Sequence, residues 1–109
     1  MSWQVEFHDA FLPEFEALAV LVQDALLAHL IPLHEFGPML GRPEVDTMKS
    51  SRIANLKELR FDADGGVWRV LFAFNGHRIA VLLAAGDKAG VAQARFYRRL
   101  VAKAESRWE

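Results

Sequence analysis

Between Leu56 and Ala85 the chain runs in three apolar stretches, Leu56–Phe61, Val67–Phe74 and His77–Ala85, each rich in β-branched, aromatic or aliphatic residues. Asp62-Ala63-Asp64-Gly65-Gly66 and Asn75-Gly76 separate them. Asn-Gly predicts a two-residue type I′ hairpin, which requires positive φ at both central residues. The stretch therefore reads as a three-stranded antiparallel meander. Successive side chains of a strand point to opposite faces. Trp68, Val70, Phe72 and Phe74 share one face, and Val67, Arg69, Leu71 and Ala73 the other. Leu59 and Phe61 likewise oppose Glu58 and Arg60. The aromatic face needs a cover. The second face, with Glu58, Arg60 and Arg69, suits an anionic ligand.

Trp3, Val5 and Phe7 alternate with polar neighbours and predict a short strand, with Asp9 placed to cap a following helix. Residues 10–31 follow the helical period through Phe11, Phe15, Leu18, Val22, Leu26 and His29, and Ala17, Leu21 and Leu27 widen the stripe. One long helix, or a helical hairpin, should lie on the aromatic sheet face, bounded by Pro13 and Pro32. Its uninterrupted apolar runs fall far short of the roughly 20 residues a bilayer demands, so no membrane partner is expected. Pro32, Gly37, Pro38, Gly41 and Pro43 mark a loop that continues through Lys49. Residues 91–108 read as a last helix on Phe96, Leu100, Ala104 and Trp108. The pattern is β-α(α)-β-β-β-α, an α+β chain forming a single domain over residues 1–109, with an antiparallel sheet and its helices packed on one face.

Composition adds three constraints. The 109 residues include no cysteine, which excludes a disulfide framework, a thiolate metal site and a cysteine nucleophile and fits the cytoplasm. The N-terminal MSWQVEFHD has neither the basic nor the apolar region of a signal peptide. Residues 1–48 hold one base, Arg42, against eight acids, and residues 49–109 hold twelve against six, so a net charge of −1 conceals halves of −7 and +6. A basic half points to an anionic partner such as nucleic acid, or to a solvated charged surface.

No phosphate loop, dinucleotide fingerprint, GxSxG or HExxH occurs. His29 and His34 are five apart, which is wrong for one helix face, so no metal and no cofactor is expected. The remaining candidates are Lys49, Lys57, Glu58, Arg60, Arg69, Lys88, Arg95 and Tyr97. Arg60 and Arg69 can meet across the first hairpin. The competing reading makes Glu58–Arg60 a mere ion pair and Tyr97 a core residue.

The run LGRPEVDTMKSSRIANLKELRF, followed by GVWRVLFAF, IAVLLAAGDK and RFYRRLVAKAE, resembles the RelE/HigB group of toxins from type II toxin–antitoxin pairs over residues 40–105. The distinctive feature is the succession ELR, WRV, AGDK and FY. The resemblance implies a RelE-like endoribonuclease that needs no metal, cleaves messenger RNA on the ribosome, inhibits translation and is neutralised by a small antitoxin, expected to be a helix-turn-helix protein. It also implies catalytic roles for Arg60, for Arg69 as the phosphate-binding arginine of WRV, for Lys88 of GDK and for Tyr97, with Lys49, Lys57 and Arg95 binding RNA. Strand alternation further predicts that Arg69 is exposed. Glu58 stands where some ribonuclease members carry lysine, and Lys57, Glu58, Lys88 and Tyr97 are the candidates for proton transfer. A gyrase poison like the related ParE branch, or a non-catalytic RNA- or protein-binding module, remains an alternative.

Overall fold

The computed structural model describes residues 2–108. Strand β1 (Gln4–Phe7) leads into helices α1 (Leu12–Glu16) and α2 (Val20–Phe36) and a short 3-10 turn, Gly37–Met39. Strands β2 (Val45–Thr47), β3 (Lys57–Ala63), β4 (Gly66–Phe74) and β5 (Ile79–Asp87) follow, and helix α3 (Gln93–Arg107) ends the chain. The five strands form one sheet in the order β1-β5-β4-β3-β2, antiparallel throughout except for the parallel β1–β5 pair. The α+β architecture and the central meander agree with the sequence pattern. No helix among the described residues is long and apolar enough to cross a membrane.

The helices do not share one face. Phe11, Phe15, Val22, Leu26, Leu30 and Leu33 pack on Leu59, Phe61, Val70 and Phe72, as the alternation requires. Helix α3 instead covers the opposite face, where Phe96, Leu100, Val101 and Ala104 meet Leu71, Ala73, Leu83 and Ala84. The expectation of helices on a single side is corrected for a simple reason. The second face is apolar toward the Ala73 end of β4, and a sheet buried on both faces needs a cover on each. Its charged residues are confined to the other end.

A bulge in β5 sets up that end. Leu71 pairs with Ala84 and Phe72 with Leu82, leaving Leu83 as the extra residue. Before the bulge the even-numbered Ala80 and Leu82 face α1 and α2. After it Ala84 faces α3, and so does Gly86. A one-residue bulge inverts the parity of everything downstream.

The type I′ turn expected at Asn75-Gly76 occurs instead at the first hairpin. Ala63 pairs with Gly66, and Asp64 and Gly65 between them have φ of +50° and +75°, the positive pair of a type I′ turn. At the other hairpin Arg78, not Asn75 or Gly76, takes positive φ. There the Asn75 side chain sets the turn, its Oδ1 accepting the His77 and Ile79 backbone N–H groups at 2.8 and 3.2 Å. The N-terminal helical region is broken rather than continuous. Gln23 Nε2 donates to the carbonyls of Glu16 and Leu18 at the break. Helix α2 then runs through Pro32, the expected boundary, to Phe36. Proline removes one backbone donor, and the burial of Leu30 and Leu33 on either side offsets that loss. Strand β2 lies inside the expected loop. At three residues it is too short for alternation to reveal.

Arg107 ties α3 to α1 around the sheet. Its Nη1 donates to Glu14 Oε1 at 2.9 Å and to the Leu83 carbonyl at 2.7 Å, and its Nη2 donates to Glu14 Oε2. The Arg107 hydrogen bond holds the Glu14 carboxyl below its ordinary 4.5. A depressed folded-state value contributes stability that is complete above 4.5 and is lost as pH falls through the folded value. Glu14→Gln should therefore lower the melting temperature at neutral pH and lose less than the wild type on acidification. Melting curves that coincide at every pH would show that the Leu83 carbonyl alone holds Arg107.

Candidate functional site

The charged end of the second face opens as a groove of about 380 Å³ between β2, β3, the residue after β5 and the first turns of α3. Its walls carry Arg42, Asp46, Lys49, Glu58, Arg60, Lys88, Gln93 and Tyr97. Four of the expected site residues, Lys49, Arg60, Lys88 and Tyr97, thus come together. Strand β3 supplies Arg60, which must share a face with Glu58 two residues earlier. Lys88 arrives through the parity inversion in β5 and is fixed by its backbone N–H, which donates to the Val67 carbonyl at 2.7 Å. Its ammonium lies 5.9 Å from the Tyr97 ring centroid.

Arg69 is placed differently from its expectation. It is directly opposite Arg60 in the β3–β4 register, yet only 7% exposed, and it does not line the groove. Its Nε–H donates to Tyr97 Oη at 3.3 Å and its Nη1 donates to the Trp68 carbonyl at 2.9 Å. The alternation points Arg69 away from the α1–α2 core as expected. The cover supplied by α3 buries it on the other side. Lys57 donates to Thr47 Oγ1 at 3.1 Å and stands apart from the groove walls. Arg95 is exposed on α3 and also lies outside the groove.

The electrostatics of the groove are cationic with two carboxylates. Asp46 is held below its ordinary 3.8, first by its hydrogen bond from Arg42 and then by the Thr47 backbone N–H. Glu58 is 5% exposed, with Oε1 3.6 Å from Arg60 Nε, which is longer than a hydrogen bond. Burial lifts the Tyr97 phenol above its ordinary 10.0, the neighbouring Glu58 carboxylate pushes the same way, and Arg69 pulls against both. The Glu58 carboxylate lies within hydrogen-bonding reach of the Tyr97 phenol, and its Oε2 has no other partner. At neutral pH the phenol keeps its proton, so Tyr97 accepts from Arg69 and has its own O–H to offer. Among the described residues no group of three His, Asp or Glu side chains could hold a metal ion.

Arg42, Asp46 and Gln93 are groove residues that sequence reasoning did not single out. Arg42 and Asp46 had one available signal, their spacing of four residues. They form an ion pair at 3.0 Å.

Comparison with known proteins bears on the family and the fold. The family model described as phage-derived protein Gp49-like (DUF891) matches residues 13–109. Two putative toxins of Mycobacterium tuberculosis are similar to the chain. It is 48% identical to HigB2 over 68 residues, which cover 62% of this chain and 34% of the relative. It is 54% identical to HigB3 over 54 residues, which cover 50% of this chain and 46% of the relative. The matches thus span less than half the length of either relative. A solved structure of a mutant E. coli toxin RelE in the free state superposes with a TM-score of 0.62 at 14% identity, covering 94% of this chain and 97% of that one. At that identity the likeness establishes a RelE-like fold.

Two outcomes follow from the buried side of the site. Arg69→Ala removes a buried donor and should cost roughly 1–3 kcal/mol in denaturant unfolding, whereas the exposed Lys49→Ala should stay within about 0.5 kcal/mol of the wild type. Equal stability of the two would contradict the burial of Arg69. Tyr97 is the only tyrosine, so the ultraviolet phenolate transition reports it alone. That transition should lie above 10.0 in the folded protein and return to it in denaturant. A raised folded value means that the stability it contributes is lost as pH climbs past 10.0.

Proposed function

The chain belongs to the phage-derived Gp49-like family, and from that premise we propose that it is the toxin of a type II toxin–antitoxin pair, a metal-independent endoribonuclease that cleaves messenger RNA on the ribosome. The observation that carries this reading is the convergence of Lys49, Arg60, Lys88 and Tyr97 on one groove of a RelE-like sheet. Its similarity to the putative toxins HigB2 and HigB3 supports the same reading.

The reaction is attack of a ribose 2′-hydroxyl on the adjacent phosphate. It calls for a base at the hydroxyl, an acid at the departing oxygen, and cations around the charge that develops between them. Arg60 can fork onto two phosphate oxygens and stays charged at any physiological pH. Lys49 at the rim and Lys88 at the far wall extend the positive track along the RNA backbone. Tyr97, steadied by Arg69 from below, offers a protonated hydroxyl to the phosphate. In this reading Arg69 is a positioning residue. Lys57 and Arg95, outside the groove, serve the surrounding surface of the ribosome or the message. The partner is a cognate antitoxin of helix-turn-helix type, and the site of action is the cytoplasm.

Expression from an inducible promoter should arrest growth, and co-expression of the antitoxin should restore it. Messages under translation should show new 5′ ends, in extracts treated with a chelator as well as without. Arg60→Ala should fold yet lose both arrest and cleavage. Growth arrest with DNA damage and intact messages would point to the gyrase reading instead, and harmless expression would remove the toxin assignment.

A further inference from the structure

The groove does not end at Tyr97. On the far side of Ser50 and Tyr97 lies a second cavity of about 490 Å³, and these two residues wall both. Helix α3 supplies the rest of its lining, Ala94, Arg98, Val101, Ala102 and Glu105. Their spacings of three, four and seven put them on one side of the helix. The cavity therefore follows α3 for about 16 Å at the helical rise, starting from the wall of the groove. Its volume falls in the range of small-ligand sites, roughly 300–1,000 Å³.

The wall opposite α3 is fixed in place. Ser51 Oγ donates to Glu105 Oε2 at 2.8 Å, the Arg52 backbone N–H donates to the same oxygen at 3.0 Å, and Arg52 Nη2 donates to the Glu105 carbonyl at 3.2 Å. These bonds pin the segment that carries Lys49 and Ser50 onto the helix. They also occupy the carboxylate, which the Arg52 backbone N–H and then the Ser51 hydroxyl hold below its ordinary 4.5. Arg98 is the opposite case. It is exposed, and no carboxylate among the described residues forms a salt bridge with it. The cavity thus combines an apolar floor with one uncommitted guanidinium.

An occupant has to use both. A phosphate would take the guanidinium and leave the floor of Ala94, Val101 and Ala102 uncovered. An aliphatic chain would cover the floor and desolvate the guanidinium without an acceptor. A nucleobase does both. Single-stranded RNA is recognised through unstacked bases whose faces lie on side chains and whose edges are hydrogen-bonded. Guanine matches the arginine fork, because its O6 and N7 accept two guanidinium N–H groups side by side. Adenine sets a donor amino group where guanine has O6.

Resting on the RNA-cleaving reading above, we propose that this cavity is a nucleobase subsite for the message, in which Arg98 reads the O6 and N7 edge of a guanine on a nucleotide flanking the scissile phosphate. Arg60 and Lys88 hold the backbone in the groove, the strand passes between Ser50 and Tyr97, and the neighbouring base enters the cavity. Phosphate contacts position a nucleic acid and base contacts specify it. The groove does the first and the cavity the second.

The test is cleavage by the full chain of ribosome-bound messages that differ only in the base on either side of the cut, read as kcat/KM, with melting temperatures taken in parallel. The wild type should favour guanine at one flanking position by roughly 5- to 150-fold. A message with 7-deazaguanine there, which lacks N7, should lose most of that preference. Arg98→Ala should cut the messages at nearly equal rates. Arg98→Lys should restore much of the binding and little of the preference, because an ammonium is a point charge rather than a fork. An Arg98→Ala protein that loses rate uniformly and keeps the guanine preference makes Arg98 a contact to RNA backbone and overturns the proposal. A wild type without guanine preference at either position overturns it as well. If Arg98→Ala melts early, the 7-deazaguanine message decides on the wild type alone, and an undiminished rate on it overturns the proposal. Each of these results leaves the RNA-cleaving reading standing. A wild-type protein that cuts no message overturns the proposal and the reading beneath it together.

Discussion

Phe96 rests on Gly86 so closely that a Cβ there would meet its ring at 2.9 Å. The position of α3 depends on that contact, and the groove depends on α3. Gly86 is the cross-strand partner of Arg69, so the same approach that seats Phe96 closes the helix over the Arg69 guanidinium and brings Tyr97 onto its Nε–H. A residue with a side chain at position 86 would lift the first turns of α3. It would expose Arg69 and release Tyr97 from the groove wall. The hydrophobic packing of one helix and the placement of one phenol are here a single constraint.

The bulge in β5 is the second part of that constraint. Without the extra Leu83, strict alternation would place Gly86 with Ala80 and Leu82 on the α1–α2 side. Phe96 would then have no flat seat, and the residue after the strand, Lys88, would leave the cationic end of the sheet. Bulges commonly serve to re-aim side chains near functional sites, and this one redirects two positions, one for packing and one for charge. Arg107 secures the far end of the same helix by bridging to Glu14 and the Leu83 carbonyl. The helix is thus held at both ends by contacts that involve the bulged strand.

The parts of this arrangement that repeat along the chain were legible in it. The meander, the aromatic face of Trp68, Val70, Phe72 and Phe74, and the shared face of Glu58 and Arg60 all follow from period-two alternation, and α3 follows from the period of Phe96, Leu100 and Ala104. What escaped the pattern consists of single-residue events. No periodicity announces the bulge at Leu83, the side-chain turn built by Asn75, or the passage of α2 through Pro32. Arg69 shows how the two kinds of information interact. Alternation assigned its direction correctly, but its burial depended on which face α3 would choose. That choice was set by Leu71, Ala73, Leu83 and Ala84, residues whose apolar character is visible but whose grouping requires the bulge. Likewise Lys49, Arg60, Lys88 and Tyr97 were nameable one by one, whereas Arg42 and Asp46 joined them only because a three-residue strand carries Asp46 alongside Glu58.

Arg60 and Arg69 sit directly opposite each other in an antiparallel pair, an arrangement that like charges ordinarily make unfavourable. The sheet resolves it by division. Arg69 turns inward, where the Trp68 carbonyl and the Tyr97 oxygen take its donors. Arg60 turns outward beside Glu58, partly open to the groove. The Glu58–Arg60 pair is loose, because 3.6 Å leaves neither group with a formed hydrogen bond to the other. Tightening it would engage the Arg60 guanidinium with the protein's own carboxylate. The loose pair leaves the Arg60 guanidinium partly open to the groove. The two opposed arginines and the buried Glu58 carboxylate thus crowd one end of the sheet, and the division of roles between Arg69 and Arg60 is what lets that end pack.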